Sequence, residues 1–191
     1  MKNLILVFVA IISFGAYSQD STEVKEQVCN FTTNETDEFT GTTKMILESE
    51  RFVEFTDSSL IKYYKRKKHQ YIELDIYLAK IDNLYALYDI WRIDSKSAYK
   101  YFGSISTDAK FLVKFKDGKM LELKHAKYDT GDTNYDLNCT YYGSYIILSD
   151  EDRELLATKE IQKIRMYWSK GYEDYDVDNP TLIMNQLNCL K

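Results

Sequence analysis

Apolar and polar residues alternate over much of the chain, and a period of two marks a strand with one buried face. In QYIELDIYLAK, Ile72, Leu74, Ile76 and Leu78 fall on one side, with Tyr71, Glu73, Asp75 and Tyr77 on the other. After KIDN comes LYALYDIWRI, with Leu87, Trp91 and Ile93 on one side and Leu84, Ala86, Tyr88 and Ile90 on the other. Apolar surface on both sides predicts a more central strand. KFLVKFKDGKMLELKH predicts a hairpin, Phe111 to Phe115 and Met120 to Lys124, turning at Asp117-Gly118, where glycine permits positive φ. KIRMYWSKGYEDYDV repeats the pattern, with Ile164, Met166 and Trp168 pointing one way and Gly171 near the turn. FTGTTKMIL and RFVEFTD read as another antiparallel pair, YYGSYIILS as a further strand, and Leu60 to Tyr64 as a strand ahead of Tyr71.

Helical periodicity is confined to two segments. SDEDRELLATKE offers Ser149 as an N-cap and acids in the first turn, and predicts a short helix near 150–158. NPTLIMNQLNCLK places Asn179 before Pro180, then Leu182, Ile183, Leu187 and Leu190 at helical spacing, and predicts a C-terminal helix against a sheet. The fold class expected is mainly β, a β-rich α+β arrangement. It takes the form of an antiparallel sandwich or a partly open barrel. One proline and no Ser/Gly-rich linker leave residues 19–191 as a single β-rich domain.

Residues 1–18, MKNLILVFVAIISFGAYS, follow the pattern of a secretory signal peptide: Lys2, an apolar run from Leu4 to Phe14, then small residues before Gln19. That run is shorter than the roughly 20 residues a membrane-spanning helix needs, so it targets the chain without anchoring it. No later segment is apolar for long enough to span, and the expected location is periplasmic or secreted. Cys29, Cys139 and Cys189 then meet oxidising surroundings, where one bridge and one thiol allow three pairings. Domain termini often lie close together, which favours Cys29 with Cys189.

Charge bears on the stretch KYYKRKKHQY, Lys62 to Tyr71. Its five basic residues stand in a chain of net charge -5. A negative bulk field repels a phosphate backbone, so nucleic acid is not an expected partner. Lysine and arginine at a hairpin end protect sheet edges from aggregation, and the stretch reads as a solvated turn, with polyanion contact as the rival reading.

The chain has 17 tyrosines. Tyrosine favours strands, its ring packing while its hydroxyl stays wet. Tyr63, Tyr64, Tyr71 and Tyr77, together with Tyr141, Tyr142 and Tyr145, are candidates for an aromatic platform that takes a glycan or a partner protein. In KYDTGDTNYD, Asp129, Asp132, Asn134 and Asp136 gather oxygen ligands in a glycine-containing loop, so calcium is the candidate ion, although the spacing matches no standard calcium loop. No other cofactor is indicated. No nucleophile elbow or phosphate-cradling loop is present, and no catalytic residue can be named. The leading expectation is an exported non-enzymatic binding or structural module. The alternatives are a small extracytoplasmic hydrolase using carboxylates and a calcium-dependent adhesion module.

The segment NETDEFTGTTK, Asn34 to Lys44, resembles small exported proteins of the Bacteroidetes that open with Asn-Glu-x-Asp-x-Phe-Thr-Gly. IQKIRMYWSKGYEDYDV, the terminal LNCL and the leader ending at Ser18-Gln19 are similar to theirs as well. The resemblance implies export and carries over no catalytic residue. Within it, Phe39 reads as a strand-entry anchor and Gly41 as a point of tight approach.

Overall fold

A computed structural model describes residues 28–65, 67 and 69–191. The leader expected over 1–18 lies outside the described residues, as do Arg66 and Lys68 of the basic stretch. The elements are β1 (Phe31–Thr36), β2 (Thr43–Leu47), β3 (Glu50–Phe55), α1 (Ile61–Tyr64), β4 (Ile72–Ile81), β5 (Leu84–Ile93), α2 (Ala98–Tyr101), β6 (Lys110–Phe115) and β7 (Met120–Lys124). They continue with β8 (Asp132–Asn134), β9 (Cys139–Leu148), α3 (Asp150–Thr158), β10 (Ile161–Trp168), β11 (Gly171–Asp176) and α4 (Leu182–Cys189).

Two antiparallel sheets face each other. The larger runs β1-β2-β4-β5-β9-β8 with β3 also on β4, and the smaller runs β11-β10-β6-β7. No barrel closes. The sheets meet at one corner, where His125 bridges to Ile146 and the Ala126 N–H donates to the Tyr145 carbonyl. The predicted sandwich with a short helix and a C-terminal helix is therefore the fold observed, and β5 is central, between β4 and β9.

Alternation does the sorting. Ile72, Leu74, Ile76 and Leu78 are buried, and so are their register partners on β5, Ile93, Trp91, Asp89 and Leu87. Ile164, Met166 and Trp168 of β10 meet them from the other sheet. Between the sheets Trp91 packs on Trp168 and Tyr175 with ring centroids 5.3 Å apart, and Tyr142 on Trp168 at 5.1 Å. Each such ring pair adds about 0.5–1.5 kcal/mol beyond area burial. α3 starts with a reciprocal cap, Ser149 Oγ accepting from the Asp152 N–H and the Asp152 carboxylate from the Ser149 N–H. α4 buries Leu182, Ile183 and Leu187, and Leu190 just beyond it is buried too.

Four expectations need correction. β2 and β3 do not pair with each other: both lie along β4, β3 over Ile72–Ile76 and β2 over Ala79–Ile81. A chain that bends between them leaves the Leu78 N–H without a strand partner. Gln186 fills that gap, its Oε1 accepting from Leu78 N at 2.9 Å while its Nε2 donates to Glu50 Oε1 at 3.1 Å. Second, Ile61–Tyr64 is a helical turn with no buried residue, not a strand. Third, the strand expected over FTGTTKMIL begins only at Thr43, because its first residues form the turn from β1, a strand at one edge of the sheet. Fourth, Phe39 is 98% exposed at the β1–β2 turn and anchors nothing, while a Cβ on Gly41 would meet no atom within 4 Å. Gly41 is suited to its place by a φ of +73°.

Cys29 and Cys189 form the disulfide that terminus proximity favours, closing 160 residues of sequence with Cα atoms 5.7 Å apart. In the chain-entropy model a loop of that length stabilises by up to about 5 kcal/mol. Cys139 is a buried thiol.

Candidate functional site

The outer face of the large sheet follows from register. Pairing of Tyr77 with Tyr88, and of Tyr88 with Tyr145, sets three tyrosines in a row across β4, β5 and β9. Tyr77 and Tyr88 stack at 4.7 Å with 3° between planes, and Tyr145 tilts by 38° at 5.4 Å from Tyr88. Burial, with the neighbouring Tyr88, pushes the Tyr77 phenol above its ordinary pKa. Towards the β4–β5 turn the same face continues as Ala79, Ala86 and Ile147, then Ile81 beside Leu84. Leu84, Ile147 and Ile81 are 49%, 43% and 37% exposed. The turn that ends this face is fixed by Asp82, whose φ of 52° reverses the chain and whose Oδ1 accepts from the Thr43 N–H.

At the other end, the face becomes charged. Glu73 stands opposite Arg92, and its Oε2 lies 3.5 Å from Arg92 Nη1 and 3.2 Å from Arg51 Nη2. Asp94 Oδ2 accepts from Tyr64 Oη at 2.6 Å and Lys67 Nζ at 2.7 Å, and Arg92 reaches its other oxygen at 3.5 Å. Burial works to raise the Asp94 pKa, but the hydrogen bonds from Lys67 and Tyr64 prevail and hold it below the ordinary carboxylate value. Burial and the Asp94 bond both push the Tyr64 phenol up. Carboxylates tied to cations in this way hold charge and fix geometry. Asp94 with its lowered pKa is the reverse of an acid tuned to give up a proton near neutrality.

The basic stretch is thereby placed. It connects β3 to β4, and Tyr64 and Lys67 clip it onto Asp94, with the Tyr64 ring edge-on to Tyr71 at 6.1 Å.

The seven tyrosine candidates separate by position. Tyr77 and Tyr145 belong to the row. Tyr141 shares its face but sits opposite Arg92 at the charged end. Tyr64 and Tyr71 brace the connection, and Tyr71 packs against the core. Tyr63 is 64% exposed on α1 with Lys62 over its ring. Tyr142 is not part of the face. It is 1% exposed, donates to the Gly103 carbonyl at 3.0 Å, and has its pKa pushed up to about 12 by burial. Neighbours on a strand point to opposite faces, so Tyr141 and Tyr142 cannot share one. Tyr88, the centre of the row, was missed. The signal was the odd–even phase of β5 against β4, which becomes readable once the hairpin register is fixed at Asp82 and Asn83.

The loop candidate for calcium is organised otherwise. Asp129 Oδ1 accepts from the Gly131 N–H at 2.9 Å and Oδ2 from the Gly143 N–H at 2.5 Å, pinning the loop to β9. Gly131 is needed there because a Cβ would sit 2.7 Å from the Tyr142 ring, at a φ of +81°. Asp132 lies on β8 opposite Tyr141, Asn134 Oδ1 accepts from the Leu137 N–H, and Asp136 is exposed in the β8–β9 turn. Among the described residues no group of three or more His, Cys, Asp or Glu side chains is arranged to hold a metal ion.

No family model, curated protein or solved structure matches this chain. The site therefore rests on its own geometry. Among the described residues no helix is long and apolar enough to cross a membrane.

Proposed function

We propose that the chain is an exported, non-enzymatic binding module that docks a partner protein on the outer face of its large sheet. The observation that carries this reading is the tyrosine row Tyr77–Tyr88–Tyr145 running into the exposed aliphatic residues Ile81, Leu84 and Ile147. Contiguous apolar surface of this kind, rimmed by charge, marks interaction sites. Tyrosine is among the residues that anchor them. A protein partner fits better than a sugar. Stacking on a sugar needs free ring faces, and the mutual stack of Tyr77 and Tyr88 takes up one face of each ring while Tyr145 packs beside Tyr88. The Cys29–Cys189 bridge and the leader-like first 18 residues support a periplasmic or secreted location.

A photo-activated cross-linking residue in place of Leu84 tests this in the cell that makes the protein. The expected result is one discrete protein adduct, absent when the cross-linker replaces the exposed Thr32 and lost when Tyr145→Lys is added. Equal labelling from both positions, or an adduct indifferent to Tyr145→Lys, overturns the reading.

A further inference from the structure

The outer face of the small sheet breaks a rule of strand pairing. Register sets Lys110 opposite Lys124 across β6 and β7, and Lys114 opposite Lys163 across β6 and β10. Like charges directly opposite on one sheet face repel and destabilise the pair. Acids compensate in part. Glu122 reaches Lys110 at 2.9 Å, Asp176 reaches Lys163 at 3.2 Å, and Asp174 holds Arg165 through two contacts of 2.5 and 2.8 Å. Lys114 and Lys124 are exposed, and neither has an ion-pair partner among the described residues. Lys124 lies four strand positions from Lys114, about 13 Å along the sheet. Near Lys114 is a shallow groove of about 150 Å³, lined by Leu112, Met120, Lys114, Lys163, Arg165 and Asp174. Met120 is 54% exposed there.

We propose that this face is a contact surface for an acidic polysaccharide. A uronate ring lies with its C–H face over Leu112 and Met120, its carboxylate is taken by Lys114 and Lys163, and the polymer continues to Lys124. Local rules of sheet design are broken where a site needs them broken. Here a bound carboxylate relieves the repulsion that the lysine pairs create. Nucleic acid fits less well. Its stacking requires free ring faces, and Tyr172, the exposed aromatic at this edge, has Arg165 over one face at 4.1 Å and Tyr167 beside it at 5.5 Å. The net charge of -5 also opposes a dense phosphate backbone at long range more than a polymer with one charge per sugar. The surface lies on the opposite sheet from the tyrosine row and does not depend on it.

The experiment measures binding of the purified, disulfide-bonded protein to polygalacturonate at low salt, with neutral dextran, phosphatidylglycerol vesicles and duplex DNA as comparisons. Wild-type protein binds the polyuronate and not dextran. The double variant Lys114→Glu/Lys124→Glu loses at least about tenfold in affinity, and the charge-neutral Thr32→Ala, at an exposed position of the other sheet, leaves it unchanged. Because Lys114→Glu places an acid opposite Lys163, the double variant melts no lower than wild type. The proposal is overturned if the double variant binds like wild type, if neither binds, or if vesicles or DNA bind as tightly as polyuronate.

Discussion

Along β9 the outward positions are Tyr141, Gly143, Tyr145 and Ile147, and along β10 they are Lys163, Arg165 and Tyr167. Both strands bury every second residue, so alternation alone cannot explain the difference. The small sheet's outward set is mostly charge and is laced by Lys110–Glu122, Lys163–Asp176 and Arg165–Asp174 pairs. A solvated sheet face reads this way, and the acidic polysaccharide proposed there meets it mainly through charge. Over β4, β5 and β9 the large sheet confines charge to one end and gives the rest of its outer face to aromatic and aliphatic side chains. Its centre, β4 to β9, carries aromatic and aliphatic surface, and solvent contact alone does not call for that composition.

The comparison is broken most directly on β9, where inward and outward tyrosines alternate. Tyr142→Ala removes a fully buried ring packed on Trp168 and should cost about 3–5 kcal/mol. Urea denaturation measures it. A loss no larger than that of an outward tyrosine would mean that the two faces are not distinguished energetically.

The next effect concerns what holds the sheets together. His125 is fully buried, with Nδ1 3.0 Å from the Ala109 carbonyl and Nε2 3.2 Å from Asp89 Oδ2, which also accepts from Trp91 Nε1 at 2.8 Å. A carbonyl only accepts, so Nδ1 carries a proton, and a second proton sits between Nε2 and the carboxylate. Burial by itself lowers the imidazole pKa, but the hydrogen bond and charge of Asp89 outweigh it, and the folded value lies above the ordinary 6.5. The pair's contribution is therefore whole below pH 6.5 and is lost as pH rises through the folded value. Melting temperature should fall on the alkaline side of that value, and His125→Gln should flatten the fall. An unchanged alkaline slope in the variant would assign the dependence elsewhere.

How much of this was legible follows from what periodicity can carry. Phase within one strand, as in Ile72 to Leu78, is local and was readable, as were the Asp117-Gly118 turn, the Ser149 cap and the Cys29–Cys189 pairing. Phase between strands is not local. Tyr88 was placed on one side of β5 with Leu84, Ala86 and Ile90, but its place between Tyr77 and Tyr145 depends on two registers set by turns and by a third strand. The pairing of β2 and β3 with the same neighbour was hidden for a related reason, because the bend between them is stabilised by Gln186, over 130 residues away. Tyr142 was placed on the platform by proximity in sequence, where alternation on β9 would have removed it.

The smallest effects separate the two faces by mechanism. Tyr145→Ala removes one edge of the tyrosine row and should cost about 1 kcal/mol or less, since a cross-strand aromatic pair contributes in that range. Asp174→Asn removes the charge and one of the two acceptor oxygens facing Arg165 on a face open to water, and its shift should be smaller still. Urea midpoints at low and high salt distinguish them. Screening shortens the reach of exposed charges, so the Asp174→Asn shift should shrink in high salt while the Tyr145→Ala shift persists. If both shifts shrink together, Tyr145 contributes through charge around Arg92 and not through ring packing, and the distinction between an aromatic face and an ionic one no longer holds.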